Sequence, residues 1–168
     1  DVAGEQCDTC LGINKDTTGV WLQTYLWSTL DNGALYEVYW WYGSHIKTRN
    51  YDISGKYKNV VNFTNGLLLN NGNYKDLAAT VSNSQIQVVG QKDTVNQNAH
   101  FWARHIGYTW KNVVDNISRT AQSGTVTVTG FTPNKSFKLE EWNTQTGLVK
   151  STSTISANTS GNVVININ

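Results

Sequence analysis

Cys7 and Cys10 stand in the order Cys7-Asp8-Thr9-Cys10. Thiols so spaced can close a local disulfide, remain inert, supply half of a zinc site, or cycle as a redox pair at a helix N-terminus. Zinc needs two more ligands. His45, His100 and His105 are distant in sequence and show no ligand spacing. On an expected strand over 99–106, His100 and His105 also face opposite sides. The simplest reading is therefore a disulfide between Cys7 and Cys10, or two inert thiols. No metal site and no cofactor is expected, and no Gly-rich phosphate loop is present. Among the acids, Glu5 by itself is a solvated or capping residue near the start of the chain. Glu37 sits among aromatic residues, and Asp52 and Asp115 fit turn or cap positions. Trp40, Trp41 and Tyr42 are consecutive. A flat aromatic ring can stack on the apolar face of a sugar, and strand alternation would aim Trp40 and Tyr42 to one side. The competing reading makes all three core residues. Trp102, Trp110 and Trp142 carry the same two readings, since a buried Trp between sheets is ordinary.

The composition narrows what such groups could serve. The chain has 168 residues, enough for one ordinary domain or two small ones and too few for a (β/α)₈ barrel of about 250. Lys and Arg number 13 against 12 Asp and Glu, so no basic field exists to steer nucleic acid. No apolar run approaches the ~20 residues of a membrane helix. Aromatic residues make up 11% of the chain, which argues for a packed core over disorder. Abundant Asn, Thr, Ser and Trp is a composition associated with secreted carbohydrate-active proteins, so an extracellular location is expected. There is no Met and no signal-peptide pattern, so a processed chain or a piece of a longer one is expected. Sequons at Asn62, Asn116, Asn134 and Asn158 carry little weight in a chain so rich in Asn.

The elements that must position these residues change character near residue 75. Asp16-Thr17-Thr18 suits the start of a helix reaching Leu30, with Val20, Trp21, Trp27 and Leu30 on its buried face. Asp31-Asn32-Gly33 would end it. Residues 35–42 read as a strand, and Lys56 to Leu69 as a second helix stopped by Asn70-Asn71-Gly72-Asn73. Beyond residue 75 the pattern is all-β: strands are expected over 77–81, 86–90, 99–106, 124–131, 136–142, 148–156 and 162–167. A short helical turn over Trp110 to Val114 lies among them. Residues 124–130 alternate strictly between small or polar and valine positions. About seven short strands at such spacing indicate a sandwich of immunoglobulin or fibronectin type. The fold expected is α+β overall: two βα units over 1–74 and an all-β sandwich over 75–168.

Several segments together resemble the C-terminal region of cellulase-like glycoside hydrolases of clan A, in which a (β/α)₈ barrel continues into a small β-sandwich. The sandwich resemblance rests on Gln91-Lys92-Asp93, Ala99-His100-Phe101-Trp102, His105 with Tyr108-Thr109-Trp110-Lys111-Asn112, residues 124–131, and Glu141-Trp142 with Thr144, Thr146 and Gly147. Val2-Ala3-Gly4-Glu5 resembles the seventh barrel strand, with Gln6 where an aromatic residue is common. The helix from Asp16 resembles the next barrel helix, Tyr39-Trp40-Trp41-Tyr42 the eighth strand, and Lys56 to Leu69 the last helix. The resemblance implies Glu5 as catalytic nucleophile and Trp40, Tyr42 and His45 as substrate-binding residues. It also implies that the acid/base Glu of the fourth strand lies upstream of Asp1.

The function expected is the C-terminal part of a secreted glycoside hydrolase acting on β-linked polysaccharide, retaining in the parent enzyme. Such chemistry needs two carboxyls about 5–5.5 Å apart, so the chain alone is expected to be inactive. Its expected partners are polysaccharide and an upstream catalytic chain or domain, with no nucleic acid and no membrane. Two alternatives stand beside it. One is a carbohydrate-binding β-sandwich module; the other is a structural protein assembling into a cell-surface layer or fibre.

Overall fold

The computed structural model describes residues 15–30, 46–47 and 49–168. The expected strand over 35–42 and the stop at 31–33 lie outside them. The first helix, α1, spans Val20–Ser28. Its start is fixed from upstream: the Asp16 carboxylate accepts the Trp21 backbone N–H at 2.8 Å and the Thr18 hydroxyl at 2.8 Å. An acceptor here satisfies one of the donors that a helix N-terminus leaves unpaired. Val20, Trp21, Leu22, Gln23, Leu26 and Trp27 are all buried.

The second helix, α2, spans Gly55–Thr64. Asp52 prepares its first turn by accepting the Ser54 N–H at 3.0 Å and the Ser54 hydroxyl at 2.6 Å. The helix stops five residues before Leu69. Leu67 and Leu68 continue the apolar pattern, but Asn65 is extended (ψ 119°) and Gly66 takes φ +88°, a region open to glycine. The Thr64 hydroxyl also turns back onto the Val60 carbonyl at 2.9 Å, a local bond that competes with helix propagation.

From residue 74 the regular elements are antiparallel strands, apart from one short helix. β1 (Tyr74–Asp76) and β2 (Ala79–Val81) are followed by β3 (Ile86–Asp93) and β4 (Ala99–His105). The short helix α3 (Trp110–Val114) precedes β5 (Gly124–Val128), β6 (Ser136–Asn143), β7 (Leu148–Ser156) and β8 (Val163–Ile167). One sheet has the order β1-β3-β4, another β2-β5-β8, and β6 pairs with β7 alone. The chain passes from the first sheet to the second across Leu77 and Ala78. The Leu77 N–H bonds the Gly90 carbonyl in one, and the Thr129 N–H bonds the Ala78 carbonyl in the other. A bulge at Glu141 and Trp142 shifts the register of the β6–β7 pair. The protein is thus mixed α and β, mostly antiparallel sheet with few helices.

β5 shows how the alternating sequence is used. Val126 and Val128 are fully buried while Thr125 and Thr127 are half-buried, the period of a strand with one face on the core. The main apolar cluster joins the helices to the first sheet. Trp21, Leu22, Leu26, Trp27, Leu30, Ile53 and Val60 share it with Trp102 of β4, and Phe63, Val89 and Trp110 pack at its margin. Phe63 meets Trp27 at 5.2 Å and, edge-on, Trp142 of the β6–β7 hairpin at 5.5 Å between centroids, the tilted geometry aromatic rings favour.

Candidate functional site

Glu5, Cys7, Cys10, Trp40, Tyr42 and His45, with Glu37, lie outside the described residues. The described acids are engaged elsewhere. Asp52 pairs with Lys47 at 2.8 Å, and that ammonium together with Ser54 holds its carboxyl well below the usual range. Asp115 pairs with Lys111 one turn away on α3. Glu140 pairs with Lys138 and accepts the Trp142 indole N–H at 3.1 Å; Glu141 pairs with Lys150. Adjacent on one strand, the two glutamates lean to opposite faces. Among the described residues no group of three His, Cys, Asp or Glu side chains could hold a metal. No described helix is long and apolar enough to cross a membrane.

What the described residues do build is a groove of about 470 Å³ where the end of β4, the segment 119–122 and the β6–β7 turn converge. Trp102, Arg104, His105, Tyr108, Arg119 and Gln145 line it. Tyr108 is its hub, placed by the turn between β4 and α3. That turn is closed by Thr109, whose side chain accepts the Asn112 N–H at 3.2 Å, and by Asn112, whose amide donates to the Gly107 carbonyl at 3.0 Å. Arg104 donates to the Tyr108 carbonyl at 3.4 Å, and the Arg119 guanidinium lies over the Tyr108 ring at 5.3 Å. The Gln145 amide reaches the Tyr108 hydroxyl at 3.4 Å. Arg104 is held a second time by its cross-strand neighbour Gln87, to which it donates at 2.8 Å, and it lies 5.6 Å over the Trp102 ring. Cation–π contacts of this kind fix a guanidinium without neutralising it.

The electrostatics follow from what is missing among these partners. No described Asp or Glu lines the groove, and neither Arg104 nor Arg119 has a carboxylate partner among the described residues. Burial lowers the Arg104 pKa, but a guanidinium stays charged in proteins. His105 accepts the Gly107 N–H at Nδ1 at 2.8 Å, which in the neutral ring leaves its Nε2–H as a donor. The site therefore sets amide and hydroxyl groups about two fixed cations. Among the described residues it holds no carboxyl pair for hydrolysis.

Sequence reasoning singled out Tyr108 only as part of a resemblance and passed over Arg104 and Arg119. Arg104 could have been found from the β3–β4 register, which sets it opposite Gln87. Nothing local marks Arg119, which reaches the groove from an irregular segment. Comparison with protein-family models, with curated proteins and with solved structures finds no match.

A second set of polar groups ties the helices to the β6–β7 turn. Gln23 of α1 donates to the Thr144 hydroxyl at 2.9 Å. Asn59 of α2 donates to the Gln145 carbonyl at 2.6 Å, and Asn62 to the Gly147 carbonyl at 3.4 Å. Lys56 bonds the Gln145 side chain, and burial lowers its pKa. Gly147, at φ +65°, lies so close that a Cβ there would come within 2.5 Å of the Asn59 Cα.

Proposed function

We propose that this chain is the C-terminal part of a secreted glycoside hydrolase acting on β-linked polysaccharide outside the cell. In this reading α1 and α2 are the last two helices of a (β/α)₈ barrel, and the strands from residue 75 form an immunoglobulin-like sandwich behind them. The observation that carries it is the burial of α1. Val20, Trp21, Leu22 and Gln23 are consecutive and all buried. At 100° per residue, four such positions sweep most of the helix circumference. Only Thr24, Tyr25 and Ser28 of α1 keep exposure, so the helix is covered over most of its circumference, more than a single layer supplies. A barrel helix with its own strands on the inside and a sandwich on the outside is enclosed in this way.

The chemistry is then divided between two stretches of backbone. The Glu5 carboxylate attacks the anomeric carbon. A Glu on the upstream polypeptide protonates the departing oxygen, and it later takes a proton from the water that cleaves the glycosyl–Glu5 ester. Trp40, Tyr42 and His45 take the sugar-binding role in this reading. Mass spectrometry of the native material tests this directly: an upstream polypeptide ending next to Asp1 is expected. The 168 residues alone are expected to show no glycanase activity, because only one of the two carboxyls is present. Turnover by the isolated chain that Glu5→Gln abolishes would overturn the assignment of the second carboxyl.

A further inference from the structure

We infer that the groove around Tyr108 is a binding site for acidic sugar residues, recognising the carboxylate of a uronate within a polysaccharide. The saccharide part of this inference rests on the proposed function; the anionic part rests on the groove itself. Arg104 and Arg119 converge on one residue, the first through the Tyr108 carbonyl and the second through the Tyr108 ring. Each is held by groups that leave its charge intact, and no described carboxylate neutralises either. Two unneutralised guanidiniums held on the same tyrosine make this part of the groove positive, and an anion bound there is attracted by both. The planar fork of a guanidinium matches the planar carboxylate in two parallel hydrogen bonds.

The rest of the lining suits a polyhydroxylated body. The side chains of Gln122, Thr144 and Gln145 offer both donors and acceptors. Arg119 covers one face of the Tyr108 ring, which leaves the charge and not that face to carry the recognition. The acid is what the site selects, and the amides and hydroxyl accept whatever sugar ring carries it.

Isothermal titration of the full 168-residue chain with a glucuronate-bearing β-linked oligosaccharide tests this, with its carboxyl-reduced counterpart and inorganic sulfate as further arms. Binding of the acidic oligosaccharide is expected, weakened at least about tenfold on carboxyl reduction. Arg119→Gln is expected to lose about tenfold with an unchanged melting temperature, and Arg119→Lys to lose less, keeping charge without the fork. Arg104→Gln should weaken binding as well, and Arg119→Gln keeps the test sound if the loss of the Gln87 bond disturbs β4. The inference is overturned by no binding, by equal binding of the reduced oligosaccharide, or by unchanged binding when Arg104→Gln and Arg119→Gln are combined. Sulfate competing as strongly as the oligosaccharide would also overturn it, leaving an adventitious ion only. Acidic-sugar binding by a chain whose native material has no upstream polypeptide would keep the groove and remove the hydrolase reading. An upstream polypeptide with no acidic-sugar binding would do the reverse.

Discussion

Asp93, at the end of β3, is 1% exposed and shows how a buried charge is tolerated here. Burial alone would raise its carboxyl. Asn96, through its amide and its backbone N–H, then Asn71 and the Val95 N–H, together hold it down at about 2. A folded value below the unfolded one gives stability that is present above about pH 4 and lost as pH falls through 2. Asp93→Asn keeps the shape but sets an NH₂ against the donors of Asn71 and Asn96. We expect a lower urea midpoint at pH 7, and a gap to wild type that narrows as pH falls from 4 towards 2. A gap constant with pH would show that the charge is not what matters. Gly147 makes a steric case of the same kind. Gly147→Ala forces a side chain into the left-handed region and onto the α2 backbone, so a loss of about 2–4 kcal/mol is expected in urea unfolding. A loss below about 1 kcal/mol would mean that the β6–β7 turn moves freely away from α2.

At the scale of elements, the pairing of β3 with β4 sets Gln91 opposite His100. Both are buried, and among the described residues neither the Gln91 amide nitrogen nor either His100 ring nitrogen has a hydrogen-bond partner. His100 sits instead between Tyr74 of β1, at 5.5 Å, and Phe63 of α2, at 6.0 Å. Burial pushes its pKa down to about 4. The unfolded chain takes up this proton near pH 6.5 while the folded chain refuses it until about pH 4, so stability is full above pH 6.5 and falls between those limits. The loss is roughly 3 kcal/mol, and His100→Phe should abolish it. Wild type and variant with parallel melting-temperature profiles from pH 7 to 4 would sink this. The same strands mark how far sequence reasoning reached. α3 begins and ends where its sequence predicts, as does β7, and the Thr–Val alternation of β5 puts Val126 and Val128 inside. β1 is not legible in the sequence because Tyr74-Lys75-Asp76 has no apolar alternation; it is a strand only through its register with the end of β3. α2 is shorter than its sequence predicts because apolar spacing continues after the backbone has turned at Asn65 and Gly66. The groove is illegible for a similar reason: tertiary placement, not spacing, brings Arg104 and Arg119 into one lining.

For the molecule as a whole, the change of pattern near residue 75 divides the sequence more sharply than it divides the packing. Trp102 of β4, 6% exposed, belongs to the cluster formed by α1, α2 and Ile53. Phe63 of α2 reaches past it to Trp142 of β6. The polar groups around that cluster are shared as well, since Thr144 and Gln145 take their partners from Gln23 and Asn59. If residues 75–168 are produced alone, Trp102 and Val89 lose their cover while the partners of Thr144 and Gln145 become water. Fully burying one large apolar side chain is worth about 1.5–3 kcal/mol, a large part of the 5–15 kcal/mol by which a domain is stable. We therefore expect the 75–168 fragment to melt well below the full chain, with Trp emission shifted to the red and with binding of a hydrophobic dye. Two substitutions separate loss of cover from loss of sequence. In the full chain Trp102→Ala should cost about 3–5 kcal/mol, because α1 and α2 stay in place around the cavity it leaves. In the fragment, where the ring is already wet, it should cost far less. Equal costs in the two backgrounds, or a fragment that melts with the full chain, would show that helices and sheets are independent bodies that touch without sharing a core.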